Sequence, residues 1–237
     1  MKSDLELEKL KSFYDEVYYA DSEKKSENIR HLQELADRIG VKEGSAILDV
    51  ACGLGGWLRV CASRGARVAG VDLSSKAIEY CHKALPEGDF YAQAAETLPF
   101  EDEHFDFVTC LGSLEHFVEP ENALREMRRV AKPNAKFILL VPNKDFLTRR
   151  FKLYLGTNQK DAKEVVRTLS EWQSLFDAAG LVVLDRWKDL HVLSREWILL
   201  NGWMQAPLRV AQALALMVWP LAWQYQVYHL CEEKASQ

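Results

Sequence analysis

The sequence is short of several things, and each shortage closes off a class of function. It has no excess of positive charge: 30 Lys and Arg stand against 35 Asp and Glu, a formal net charge of −5. A chain so balanced carries no global electrostatic signal for nucleic acid. Its opening stretch, MKSDLELEKL, lacks the apolar core a signal peptide needs. It also lacks an unbroken apolar run of membrane-spanning length. The longest, Ala206 to Trp223, is interrupted by Arg209, Gln212 and Pro220, whereas a spanning helix takes about 20 mostly apolar residues. That excludes a transmembrane helix and leaves peripheral membrane contact open. Cysteines are few and scattered, at Cys52, Cys61, Cys81, Cys110 and Cys231, with no C-x-x-C pair and no His at zinc-finger spacing. No metal site is expected. An odd set of such cysteines reads as free thiols in a reducing cytoplasm, mostly acting as small buried hydrophobes. Internal repeats and low-complexity tracts are absent as well.

What is present is enough for one sizeable globular domain with an appended subdomain: 237 residues, 48% of them hydrophobic. The first forty residues read as helical. In SENIRHLQELADRIG, Ile29, Leu32, Leu35, Ala36 and Ile39 share one helical face, and Gly40 is placed to cap its end. The texture then changes to short apolar runs alternating with amphipathic helices. SAILDVA precedes a helix from about Gly55 to Ser63, ARVAGVDL precedes SSKAIEYCHKAL, and DFYAQAA and HFDFVTCLG precede PENALREMRRVAK. The last helix has Pro120 near its first position and an apolar face of Ala123, Leu124, Met127, Val130 and Ala131. AKFILLVPN follows as a further strand. Near-continuous apolar strands alternating with helices predict an α/β fold whose parallel sheet is covered on both faces. Later, SEWQSLFDAAG reads as a helix with a capping box from Ser170 to Gln173. LVVLDRWKDLH and QYQVYHLCEE read as strands, and six of the seven tryptophans lie from Trp172 onward.

The stretch ILDVACGLGGWL joins a strand to a helix through glycines. A helix N-terminus offers free N–H groups, and glycine lets a ligand approach the backbone. The Gly-Lys-Ser/Thr of a phosphate loop is missing. Gly53 and Gly55 fit the dinucleotide pattern G-x-G-x-x-G/A, but its third small residue falls on Leu58, which speaks against a dehydrogenase. The second strand ends in Asp72, at the place where an acid accepts hydrogen bonds from ribose hydroxyls. A ligand with a free ribose is therefore expected.

These residues and those that follow resemble the class I S-adenosylmethionine-dependent methyltransferases, in particular the group related to the ubiquinone and menaquinone methyltransferases. ILDVACGLGGWLRVCASRGARVAGVDLSSKAIEYCHKAL looks like the first motif and the acidic loop after it. AAETLPFEDEHFDFVTCLGSLEHFVEPENALREMRRVAKPNAKFILLVPN looks like the next three segments in unbroken order. The resemblance is strong from Gly44 to Asn143 and looser beyond. It implies a Rossmann-like, doubly wound, mostly parallel seven-stranded sheet with an antiparallel last strand. Residues 1–43 are expected as an N-terminal helical cap, and residues 44–237 as the methyltransferase domain with a helical insertion at about 192–222. The implied cofactor is S-adenosyl-L-methionine. By the resemblance, Asp49 and the backbone of Ala51, Gly53 and Gly55 hold its aminoacyl end, Asp72 its ribose hydroxyls, and Leu73 flanks its adenine. The backbone of Ala95, with Glu96 beside it, meets the adenine edge, and Leu111 lies near the methionine part. Two positions depart from the family. Ala51 stands where Gly is frequent, and Ala94 where an Asp frequently holds the adenine amine, so the grip there rests on backbone.

The chemistry implied is in-line displacement by a substrate nucleophile, in which the cofactor brings the reactive methyl group and the protein aligns the partners. Two histidines follow strands at their carboxyl ends, where this architecture binds ligands: His116 in LEHF, and His191 in WKDLH with Asp189 two residues earlier. Each is a candidate general base, set against the plainer reading of a structural histidine for His116 and of an ordinary loop histidine for His191. The other histidines show no partner spacing. Tyr14, Tyr18 and Tyr19 form a candidate lid over the cofactor, against a reading as helix packing. The late tryptophans read as core packing for at least half their number. The remainder could wall an apolar substrate pocket or meet a membrane surface. Lys144, Arg149, Arg150 and Lys152 read as a solvated face, or as steering for an anionic substrate. The expected function is methyl transfer to a small, partly apolar molecule at oxygen or carbon rather than nitrogen. The rivals are a cofactor-binding regulatory partner without catalysis and an NAD-dependent enzyme.

Overall fold

The computed structural model describes residues 2–19, 30–150, 164–189 and 206–234. The chain opens with α1 (Lys2–Phe13), which runs into a π-helical turn at Tyr14–Tyr18. Then comes α2 (Arg30–Ile39), which buries Leu35 and Ala36. It ends as expected: Gly40 has φ +79° and donates its N–H to Ala36 O at 3.1 Å.

From there strands and helices alternate. They are β1 (Ala46–Val50), α3 (Gly56–Ala62), β2 (Arg67–Asp72), α4 (Ser75–Ala84), β3 (Asp89–Ala92) and β4 (Phe105–Leu111). After these come α5 (Pro120–Val130), β5 (Ala131–Pro142), the short α6 (Leu147–Arg150), α7 (Leu169–Ala178), β6 (Leu181–Lys188), α8 (Ala206–Val218) and β7 (Gln226–Glu233). Seven strands form one sheet in the order β3-β2-β1-β4-β5-β7-β6. β1 to β5 are parallel, and β7 runs antiparallel to both β5 and β6. This is the expected Rossmann-like, doubly wound sheet with its antiparallel last strand.

The apolar strands have a partner layer on each face. On one face Leu48, Val108, Phe137 and Leu139 meet Leu124 and Met127 of α5 and Trp172 and Phe176 of α7. On the other, Ile47, Val68, Ile138 and Leu140 meet Leu35 of α2, Leu58 and Val60 of α3 and Ile78 of α4. β1 is buried along its whole length because it lies between β2 and β4 with helices on both sides. The strand order reverses at β1, since its successor β2 lies on one side and β4 on the other. In such sheets the crevice at the carboxyl ends of the strands flanking that reversal is the ligand site.

One local expectation is corrected. The capping box of α7 is formed by Thr168 and Glu171, not by Ser170 and Gln173. Thr168 Oγ1 accepts from Glu171 N at 3.2 Å, and the Glu171 carboxylate accepts from Thr168 N at 2.7 Å. The helix starts at Leu169, so Ser170 already lies inside it and bonds Thr168 Oγ1 instead. α8 falls within the stretch expected as a helical insertion. Among the described residues no helix is long and apolar enough to cross a membrane.

Candidate active site

The carboxyl ends of β1, β2 and β4 bring together residues that the sequence separates by up to sixty positions. β1 delivers Asp49, 3% exposed, whose Oδ1 accepts the Thr109 hydroxyl of β4 at 2.6 Å. Ala51 follows in the left-handed region at φ +63°, a conformation that favours glycine. Gly53, at φ +53°, donates its N–H to Asp72 Oδ2 at 2.9 Å. The other carboxylate oxygen of Asp72 accepts from Ser74 N at 2.8 Å. Asp72 at the end of β2 therefore ties the glycine loop to the start of α4. The Cys81 thiol donates to the Gly53 carbonyl at 3.3 Å, so Gly53 is held at both its N–H and its carbonyl.

Two cavities open over these ends. The first, about 70 Å³, is narrow and is walled by Asp72, Leu73, Gln93, Ala95, Glu96 and Phe117. The second, about 430 Å³, is walled by Asp49, Gly53, Trp57, Leu111, Asp189 and Tyr228, among others. Ala51, Ser113, His116, Tyr14 and Tyr19 belong to both. The N-terminal segment roofs them. Leu7, Leu10, Tyr14 and Tyr19 cover the first cavity, and Tyr18 joins Tyr14 and Tyr19 over the second. The roof is latched by Asp15, whose carboxylate accepts from Ser74 Oγ at 2.5 Å and from Lys76 N at 3.3 Å at the first turn of α4. Tyr19 comes so close to the glycine loop that a Cβ on Gly53 would lie 2.8 Å from its hydroxyl.

The electrostatics are those of buried acids. Burial pushes the Asp49 carboxyl up to about 7, Thr109 partly offsetting this by its hydrogen bond and Asp72 adding to it by repulsion. Asp72 is also raised, first by burial and then by Asp15, against the N–H groups of Ser74 and Gly53. Glu115, beside His116 in a 3-10 turn at Leu114–His116, is buried and pushed up to about 7. Tyr14 and Tyr19 are raised by burial and by Asp72, so both phenols stay neutral. Asp49, Asp72, Glu96 and Asp189 line the two cavities, and among the described lining residues there is no Lys or Arg.

Most of the expected site residues meet here. Asp49, Ala51, Gly53, Leu111 and Tyr18 line the larger cavity, Asp72, Leu73, Ala95 and Glu96 the narrower one, and His116 stands where the two join. Gly55 does not line either cavity. It lies buried in the turn at φ +71°, donates to Cys52 O at 2.9 Å and precedes α3, so its role in the turn is conformational. His191 lies outside the described residues, while its neighbour Asp189 is described and lines the larger cavity. Of the late tryptophans, Trp172 is core, its Nε1 donating to Pro142 O at 2.8 Å, and Trp187 stacks on Tyr228 at the sheet edge. The five cysteines are all buried and free, as expected. Sequence reasoning missed Gln93 and His31, which line the cavities with no motif to mark them, and gave no role to Trp57, which stands in the glycine stretch itself. It also missed Asp15, whose partner on α4 is fifty-nine positions away.

Comparison with known proteins agrees with the fold. A methyltransferase-domain family model matches residues 48–139. A demethylmenaquinone methyltransferase of Renibacterium salmoninarum is 37% identical over 105 residues, 44% of each chain. A ubiquinone biosynthesis O-methyltransferase of Alkalilimnicola ehrlichii is 33% identical over 165 residues, 68% of this chain and 65% of that one. The chain thus spans less than half the length of the first relative and about two thirds of the second. Among solved structures, a methyltransferase bound to the Trm112 activator in Haloferax volcanii superposes with TM-score 0.71 at 16% identity, covering 96% of this chain and 98% of that one. The YcgJ protein of Bacillus subtilis superposes with TM-score 0.61 at 20% identity, covering 89% and 100%. At those identities the structures speak for the fold.

Proposed function

We propose that this chain, a class I S-adenosylmethionine-dependent methyltransferase, moves the cofactor's methyl group to oxygen or carbon of a small, partly apolar molecule in the cytoplasm. The observation that carries the cofactor reading is the charge of the paired cavities: four acids among the described lining residues, with no Lys or Arg. A dinucleotide would bring two phosphates to that surface. S-adenosylmethionine brings a sulfonium and an ammonium, which buried carboxylates favour.

The residues fit the parts of that cofactor. Asp72, with both oxygens already positioned by backbone N–H groups, is set to receive the ribose hydroxyls. Leu73, Ala95 and Phe117 offer apolar surface for the adenine, with Glu96 at its edge. Asp49, raised to about 7 with no cation near it among the described lining residues, becomes a full carboxylate when an ammonium arrives. The larger cavity then supplies the acceptor's place. Leu32, Trp57, Leu111 and Leu140 give it apolar surface, and His31, His116 and Asp189 give it groups that hold or take a proton. Alignment of the acceptor is worth roughly 7–11 kcal/mol of barrier in well-oriented systems.

Calorimetry with S-adenosylhomocysteine and with NAD tests the cofactor. Binding of the first and no heat from the second is the expected outcome, and binding of NAD alone would sink the proposal. Transfer of label from methyl-labelled cofactor into a small-molecule extract then separates an enzyme from a cofactor-binding partner without catalysis.

A further inference from the structure

α8 is apolar on two sides, and the protein covers only one of them. Ala213 and Leu216 face the interior, each 7% exposed. Val210, Leu214, Met217 and Val218 are exposed, and their spacing of i, i+4, i+7 and i+8 puts them on one helical face. Val218 is 84% exposed, and Leu214 and Met217 are each more than half exposed. Trp223, in a 3-10 turn at Leu221–Trp223 just beyond, is exposed as well. Among the described side chains from Ala206 to Trp223, every exposed one is apolar. Single exposed apolar residues are ordinary, but a contiguous set marks an interaction site.

We infer that this face docks on a phospholipid bilayer with anionic headgroups, α8 lying in the plane of the surface with Leu214 and Val218 at the acyl boundary. Three observations favour that occupant. The first is charge. Between Glu196 and Glu232 the sequence has no Asp or Glu, and Arg209 is its single Lys or Arg. At the end of α8 the Lys188 ammonium donates to Leu216 O and Met217 O at 3.1 Å each, beside the exposed Met217, and among the described residues no carboxylate pairs with it. Anionic headgroups therefore meet a cation and no acid here, while the chain's net charge of −5 repels them elsewhere. The second is the lack of polar groups. A protein partner forms about one hydrogen bond per 100–200 Å² of interface, yet the described exposed side chains offer one N–H, the Trp223 indole. A bilayer asks for none, and an indole suits its interface. The third is length. The thirteen residues of α8 extend about 20 Å, too short for a hydrocarbon core of about 30 Å, so the helix lies on the surface and does not span it.

The face also borders a way inward. Met217 and Leu221 line a third cavity, about 580 Å³, which shares His31, Asp189 and Tyr228 with the larger cavity of the site. A docked protein would thus take an apolar acceptor from the lipid surface toward the larger cavity. That consequence rests on the methyltransferase reading; the docking itself does not.

The test is flotation of the full-length protein with phosphatidylcholine vesicles containing about a third phosphatidylserine. Co-flotation is expected, weaker on phosphatidylcholine alone and weaker at high salt. Leu214→Asp with Val218→Asp should lower the vesicle partition constant at least about tenfold, with S-adenosylhomocysteine affinity and thermal unfolding unchanged, because both side chains are exposed and line neither cavity of the site. Leu214→Phe with Val218→Phe should keep or strengthen binding. No co-flotation of the parent, equal binding to uncharged vesicles, or equal binding by the Asp variant would each overturn the inference. So would a dimer seen by light scattering that the Asp variant dissolves while neither protein binds vesicles, which would give the face to a second copy of the chain. Calorimetry with S-adenosylhomocysteine on the same preparation reports on the cofactor reading, so failure of one leaves the other standing.

Discussion

Replacing Asp49 by Asn gives the sharpest quantitative test of the site. The carboxyl is 3% exposed and burial raises it from 3.8 to about 7. That is about three pH units, and each is worth about 1.4 kcal/mol, so the ionised group costs the unliganded fold about 4 kcal/mol. The sign follows from proton counting. Below pH 3.8 both folded and unfolded chains hold the proton, and the group contributes nothing. Between 3.8 and about 7 the unfolded chain has lost the proton and the folded chain keeps it, so stability falls as pH rises. Above 7 the full cost is present. Asn keeps an oxygen for the Thr109 hydroxyl and carries no charge. Denaturant unfolding without cofactor at pH 5 and pH 8 should show the variant gaining on the parent by roughly 3 kcal/mol over that interval. Addition of S-adenosylhomocysteine should reverse the ranking, because its ammonium restores the carboxylate and the parent binds it more tightly as pH rises toward 8. Parallel stability curves for the two proteins would refute the placement of a strained, protonatable carboxyl at position 49. A variant that binds the ligand as well as the parent would refute its pairing with the ammonium.

Other outcomes follow from the same geometry. Asp72→Ala removes the acceptor for two backbone N–H groups and for the ribose, so S-adenosylhomocysteine affinity measured by calorimetry should fall about 100-fold, the worth of one to two charged hydrogen bonds. Gly53→Ala places a Cβ 2.8 Å from the Tyr19 hydroxyl at φ +53°, and should cost about 1–2 kcal/mol of stability for the left-handed backbone alone. Adding Tyr19→Phe should recover ligand affinity without recovering that backbone cost, as read by calorimetry and denaturant unfolding. Thr168→Ala should cost about 1 kcal/mol as a lost N-cap. Ser170→Ala should cost far less, since Ser170 lies inside α7. Equal losses at the two positions would contradict the start of the helix.

The legibility of the site differed from residue to residue for physical reasons. Gly53 and Asp72 were readable because a strand must feed a glycine turn and because an acid at the end of the next strand has a chemical purpose that spacing reveals, whereas Asp49 was marked only by the family resemblance. His31 was not readable. Its helix shows an apolar face of ordinary period, and nothing in that pattern tells which polar residue will look into a cavity. Asp189 was noticed only as a neighbour of His191, yet it is Asp189 that the described structure places against the larger cavity. The capping box was misplaced by two residues because Thr168, Ser170, Glu171 and Gln173 offer two registers of the same signal, and packing chose between them. In the observed register Thr168 precedes the first helical residue, Leu169, and Trp172 and Phe176 are buried.

By itself the sequence determined the alternation of strands and helices, the covered parallel sheet and the glycine loop with its acid. Each of these depends on periodicity or on short spacings along the chain. The tertiary structure alone decided what crosses between elements: Asp15 latching the roof to α4, the Cys81 thiol on the Gly53 carbonyl, and His31, Asp189 and Tyr228 lining the same cavities. Those contacts join residues tens to nearly two hundred positions apart. Their partners are chosen by the packing of layers on the sheet, and local sequence carries no record of that choice.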